Sequence, residues 1–113
     1  MKNKTTEYPI PQLREQLRLQ AVTLSGKLSR SVARLTSCDM VPCLEYGEEV
    51  AKEQDIAQQL FYIQSCRNAL ERCMACKSAT VRYRGNDGSL TRTTFRKVGP
   101  ARVRVIGLEE KSA

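Results

Sequence analysis

Arg82, Arg84, Arg92, Arg96, Arg102 and Arg104 occupy alternate positions of three short segments, Ala79–Arg84, Leu90–Lys97 and Ala101–Ile106. Side chains alternate across a strand, so this parity gathers the six guanidinium groups on one face of a small sheet. It turns Val81, Tyr83, Thr93, Phe95, Val103 and Val105 to the other face. A guanidinium is planar, permanently charged and forked, which suits it to phosphate and carboxylate oxygens. Like charges on neighbouring strands repel, so an all-basic face needs something to offset the repulsion. Nucleic-acid phosphates, the acidic helix of this or another copy, and an acidic protein surface are the candidates, beside a face that is simply solvated, since threonine and arginine are ordinary residues on an outer strand face. The six arginines are therefore the expected nucleic-acid contacts. Contacts of this kind position a protein on a phosphate backbone without reading sequence.

Other chemistry has less to work with. Histidine is absent, which removes the commonest general base near neutral pH and the usual partner of a nucleophilic Ser or Cys. No glycine-rich phosphate loop opens a helix after a strand. No catalytic residue and no cofactor is expected. The sharpest alternative is zinc: Cys73-Met74-Ala75-Cys76 has the spacing of a ligand pair, with Cys38 and Cys43 as the other half. One helix from Leu44 to Cys76 would hold the two pairs roughly 45 to 50 Å apart. Cys66 and Cys73 also fall in an apolar stripe, where a free thiol behaves as a small hydrophobe. The expectation is buried cysteines and no metal.

The elements that must position the arginines are legible from periodicity. Pro9 and Pro11 open a segment in which Ile10, Leu13, Leu17, Ala21, Leu24, Leu28, Val32 and Leu35 recur at steps of three and four, predicting helix 1 over 9–37. Gly26 marks a bend within it. Residues 38–43, with Pro42, break the period and form a hairpin tip. Helix 2 follows over 44–77, with Glu45, Glu48 and Glu49 near its positive end and a stripe through Val50, Ile56 or Ala57, Leu60, Ile63, Cys66, Leu70 and Cys73 or Met74. Two long helices with a short connection pack antiparallel. The period then drops to two over 79–107, with turns at Gly85-Asn86-Asp87-Gly88 and Gly99-Pro100. Residues 1–8 and 108–113 are read as frayed ends. The expected fold is α+β: an N-terminal helical hairpin followed by a three-stranded antiparallel meander, in a single domain over 1–113.

Charge adds partner candidates. The net charge of +7 divides into +5 over 1–37, −4 over 38–76 and +6 over 77–113, so an acidic middle lies between two basic flanks that can pair within the chain or with a partner. Lys27, Arg30 and Arg34 lie opposite the stripe of helix 1, and with Asp39, Glu45 and Tyr46 at the tip they are candidate protein contacts. Asp39, Glu45 and Tyr46, followed by Lys52-Glu53-Gln54, resemble the coiled-coil tip of the Gre-type transcript cleavage factors. That resemblance implies insertion of an acidic tip into an RNA polymerase channel; Pro42 stands where that family has an acid. The run Val81-Arg82-Tyr83-Arg84 through Gly88 to Arg92 is similar to the Tyr and Arg spacing at the start of WYL domains, which are regulatory sensors. Met1–Glu7 lacks the apolar stretch of a secretion signal, no segment approaches the length of a membrane span, and five cysteines is an odd number, so a reducing cytoplasm is expected. The function these features favour is a small non-enzymatic nucleic-acid-associated accessory or regulatory protein. The alternative is an interaction module, dimerising through its helices and binding an acidic protein surface, with a transcription complex as one setting.

Overall fold

The chain folds as β1 (Lys2–Pro9), α1 (Ile10–Thr36), α2 (Leu44–Cys76), β2 (Ser78–Arg84), β3 (Ser89–Gly99) and β4 (Arg102–Lys111). The computed structural model describes the backbone of residues 2–36, 44–85 and 88–111, and the side chains of 4–33, 50–85 and 88–108. The architecture is α+β, with two helices on one face of a four-stranded antiparallel sheet ordered β1-β4-β3-β2. No helix among the described residues is long and apolar enough to cross a membrane.

The expected three strands are thus four. Residues 2–8, expected to fray, and Pro9, expected to open helix 1, pair with β4 from Lys2↔Glu109 to Pro9↔Arg102, and β4 runs through 108–111, also expected as tail. Local propensity in Lys2-Asn3-Lys4-Thr5-Thr6-Glu7-Tyr8 is weak, and among its described side chains Tyr8 is the large apolar one packed against the core. What recruits the segment is the open hydrogen-bonding edge of β4, a tertiary feature with no local sequence signal. Ile10 N–H donates to the Ala101 carbonyl at 2.8 Å, tying the start of α1 to the β3–β4 turn.

The core lies between the helices and the inward face of the sheet. Leu13, Leu17, Cys66, Ala69, Leu70, Cys73, Val81, Phe95 and Val103 are buried there, with Ile10 at the start of α1. Helix α2 meets two neighbours at once, which widens its apolar face beyond a single stripe: Tyr62 and Ala69 join it, while Met74 is exposed. Early residues of α1 meet late residues of α2, as in the Arg14–Glu71 ion pair at 2.8 Å, so the helices run antiparallel. Both helices are continuous, through Gly26 and Gly47 respectively. In the distal part of α1 the fully buried position is Ser31 rather than the expected Val32, which is 42% exposed. A 3.6-residue period drifts against steps of four, and a small side chain there lets the helix backbones approach.

The 33 residues of α2 extend about 50 Å at about 1.5 Å per residue, whereas the seven residues of β2 span about 23 Å. The helical pair therefore outruns the sheet. The radius of gyration, 16.9 Å, exceeds the roughly 13 Å of a compact chain of this size for that reason.

Turn chemistry fixes strand register. Gly88 has φ +83°, a conformation that favours glycine, and Gly85 N–H donates to the Ser89 carbonyl at 2.9 Å. Asn86 and Asp87 lie outside the described residues. Lys77 ends α2 in the left-handed region (φ +73°), and its carbonyl accepts from Lys97 N–H at 2.8 Å, which starts the β2–β3 ladder. A register shift between Lys97 and Gly99 precedes the second turn.

Two stability measurements check this arrangement. Phe95→Ala, which empties the centre of the core, should lower stability by about 3 to 5 kcal/mol in denaturant titration. Deleting residues 1–7 should also shift the unfolding midpoint clearly downward, whereas removal of a frayed end would leave it unchanged.

Candidate functional site

Strand parity places all six arginines on the sheet face opposite the helices. Along β2, Ala79, Val81 and Tyr83 turn inward while Arg82 and Arg84 are exposed; along β3, Thr93 and Phe95 are buried while Arg96 is exposed. On β4, Val103 is buried between Arg102 and Arg104. Register brings the arginines together in cross-strand pairs: Arg82 lies directly opposite Arg92, and Arg96 opposite Arg104. Because Lys97 N–H bonds to Lys77, hydrogen-bonded pairs recur at odd residues of β2. Arg82 and Arg92 are consequently a non-hydrogen-bonded pair, the kind in which side chains sit closest. Between the two arginine pairs runs a row containing Thr80 and Thr94, whose hydroxyl oxygens are 3.1 Å apart.

The face is less uniform than the arginine spacing alone implied. Leu90, Ile106 and Leu108 share it and are half-buried. More consequentially, β1 adds a carboxylate. Glu7 lies opposite Arg104 and accepts from it at 2.8 Å (Nη2) and 3.1 Å (Nε). Arg102 Nε is 3.9 Å from the same carboxylate. The β1 side of the face is thereby compensated. No described carboxylate pairs with Arg82, Arg84, Arg92 or Arg96. The Nε of Arg92 is buried and has no hydrogen-bond acceptor, so this guanidinium retains an unmet donor.

Lys27 and Arg30 are exposed on α1, away from the sheet's open face. Arg34, Glu45 and Tyr46 belong to α1 and α2, but their side chains lie outside the described set, and Asp39 lies outside the described residues, as do Cys38 and Cys43. Neither the acidic-tip resemblance nor the Cys38–Cys43 half of a zinc site has described geometry. Arg14–Glu71 is an ion pair joining the basic N-terminal segment to the acidic middle.

Two functional candidates are not legible in the arginine spacing. Glu7 lies in a segment expected to fray. Phe61 is the other: it is 71% exposed at the β2 side of α2, beside Arg82 and Arg84. Its one sequence signal is an aromatic residue lying a position off the apolar stripe between Leu60 and Ile63.

The cysteines separate by environment. Cys73 is buried and donates to the Leu70 carbonyl at 3.2 Å, while Cys76 is exposed, so the two thiols of the Cys-x-x-Cys do not face a common site. Among the described residues no three His, Cys, Asp or Glu side chains cluster as metal ligands. Burial pushes the Cys66 thiol up to about 11, against a weaker pull from a hydrogen bond with Tyr62, and burial likewise raises Cys73. Cys76 should therefore react rapidly with a thiol reagent in the native protein, with Cys66 and Cys73 reacting only on unfolding, as read by mass mapping. The linked effect on stability has a definite sign. A thiol that ionises near 9 when unfolded and near 11 when folded contributes fully below pH 9 and loses that contribution as pH rises toward 11. Cys66→Ala should flatten that part of the stability profile.

Comparison of this chain with protein-family models, curated proteins and solved structures finds no match.

Proposed function

We propose that this chain is a non-enzymatic nucleic-acid-associated protein that binds phosphates through the open face of its sheet, chiefly through Arg82, Arg84, Arg92 and Arg96. The observation that carries this reading is the placement of Arg82 directly opposite Arg92 with no described carboxylate beside either, and with the Arg92 Nε donor buried and unmet. A buried donor without an acceptor is unfavourable, and two adjacent guanidiniums repel. An anion bridging the pair through their terminal Nη donors offsets the repulsion. Several such cations at strand spacing suit a polyanion better than a single small ion. Arg102 and Arg104 take a lesser part, because Glu7 already occupies them.

Salt dependence measures this directly. With four arginines engaged, log affinity for a labelled oligonucleotide should fall against log salt with a slope of about −3, and the double variant Arg82→Ala, Arg92→Ala should reduce that slope by about 1.5. Arg104→Ala should change it little. Glu7→Gln, which releases Arg102 and Arg104, should tighten binding at low salt and steepen the slope. Absence of any retained nucleic acid at low salt, or a slope indifferent to Arg82 and Arg92, would remove the proposal. In that event a response to an acidic polypeptide would favour a protein partner instead.

A further inference from the structure

The two helices cover the inward face of the sheet but leave the outer edge of β2 open, and the chemistry concentrated at that edge differs from the rest of the molecule. β2 is the last strand of the sheet. Its odd residues bond to β3, so the backbone N–H and C=O groups that point away from the sheet belong to Ser78, Thr80, Arg82 and Arg84. Beside this edge α2 and β2 border a shallow, open cleft of about 380 Å³ lined by Ala57, Gln58, Phe61, Arg82, Tyr83 and Arg84.

The front and sides of that cleft are chemically unfinished. Phe61 presents most of its ring to solvent. The Gln58 carbonyl Oε1 is buried without a donor. Arg82 and Arg84 border the cleft along the β2 edge, their side chains leave the strand on its outer face, and neither has a described carboxylate partner. The back wall, by contrast, is braced: Tyr83 packs on Tyr62 with ring centroids 5.1 Å apart, and Tyr62 shares a 2.7 Å hydrogen bond with Thr93. A rigid back, an open aromatic face, an unmet amide acceptor and two cations form a coherent set of complements for one chemical class. That class carries a flat π surface, N–H donors on its rim (ring N–H or exocyclic amino) and a phosphate on the same repeating unit.

We infer that the cleft between α2 and the β2 edge seats an unpaired base of a single-stranded nucleic acid, with the base stacked on Phe61 and its flanking phosphates held by Arg82 and Arg84. The inference rests on the phosphate-binding reading above and specifies the form of nucleic acid. Base–aromatic stacking is the usual source of single-strand affinity and tolerates any base. In a duplex the faces of the bases are already stacked on each other, so Phe61 has nothing to engage there. An acidic peptide would occupy the guanidiniums and has backbone N–H donors for Gln58, but its carboxylate side chains offer no π surface to the Phe61 ring.

The chain contains no tryptophan and four tyrosines, so Phe61→Trp introduces a single indole, excited selectively at the red edge, at the proposed stacking position. Titration of that full-length variant with oligo(dT) or oligo(rU) should quench the indole, and an oligo(dA)·oligo(dT) duplex bound through the arginines should not. Phe61→Ala should weaken single-strand binding by about 5- to 100-fold while leaving duplex affinity unchanged. Its thermal unfolding should match the parent chain, since the ring is exposed. If nucleic acid binds through the arginines but Phe61→Ala leaves single-strand affinity intact, or if duplex quenches the introduced indole equally, the stacking assignment fails and phosphate binding stands. If neither form binds, both fail. If only poly(Glu) alters the indole signal, the cleft is a peptide site and the assignment is overturned.

Discussion

Burial of one face of the sheet under α1 and α2 is the constraint to which everything else in this molecule answers. Phe95 and Val103 are sealed against Leu70 and Cys73, and with a side-chain period of two that burial commits every intervening residue of β2, β3 and β4 to the opposite side. A slip of one residue would drive guanidiniums into the core and expose Phe95 to water. This explains how a repulsive arrangement of arginines persists. The hydrophobic free energy of the inward face, about 25 cal/mol per Å² of apolar surface removed from water, outweighs like-charge repulsion across a solvated face.

The same sheet is electrically graded from one edge to the other. At β1, Glu7 compensates Arg104 and lies near Arg102; at β2, Arg82 and Arg84 have no such partner among the described side chains. The gradient matters because β2 is also where backbone hydrogen-bonding groups remain open and where α2 brings Phe61 alongside. Charged side chains on an edge strand hinder pairing with other chains. They serve equally as an anchor for an anionic ligand, and the two roles do not conflict. Positive charge, open backbone and an aromatic ring thus coincide on one margin of the molecule.

Tyr62 links the layers at this margin. Its hydroxyl meets Thr93 on the inward face of β3, and its ring packs on Tyr83 of β2, so the orientation of α2 over the sheet is set close to where Phe61 projects. Beyond this point the helices continue as a pair without the sheet beneath them. Ser31 is buried there, and Leu24, Leu28, Ile56 and Leu60 are only half-buried, as expected of a two-helix layer with solvent on both sides.

What the amino-acid order determined by itself was whatever is encoded in local period and turn chemistry. The helices end at proline-marked and Lys77-marked breaks, the glycine turns set the β2–β3 and β3–β4 hairpins, and alternation decided which side of the sheet the arginines occupy. Tertiary structure alone decided what those arginines meet. Glu7 is nearly a hundred residues from Arg104, and only the recruitment of β1 to the open edge of β4 brings them within 2.8 Å. Pairing of that kind depends on long-range backbone complementarity, which leaves no periodic trace in a polar eight-residue segment. The position of Phe61 beside Arg82 and Arg84 has the same origin, because periodicity defines the face a helix buries but not which strand its flank will overlook. Ser31 in place of Val32 shows the limit on a finer scale: a stripe read at integer steps drifts from the true helical period, and only packing against a second helix selects the residue that is enclosed.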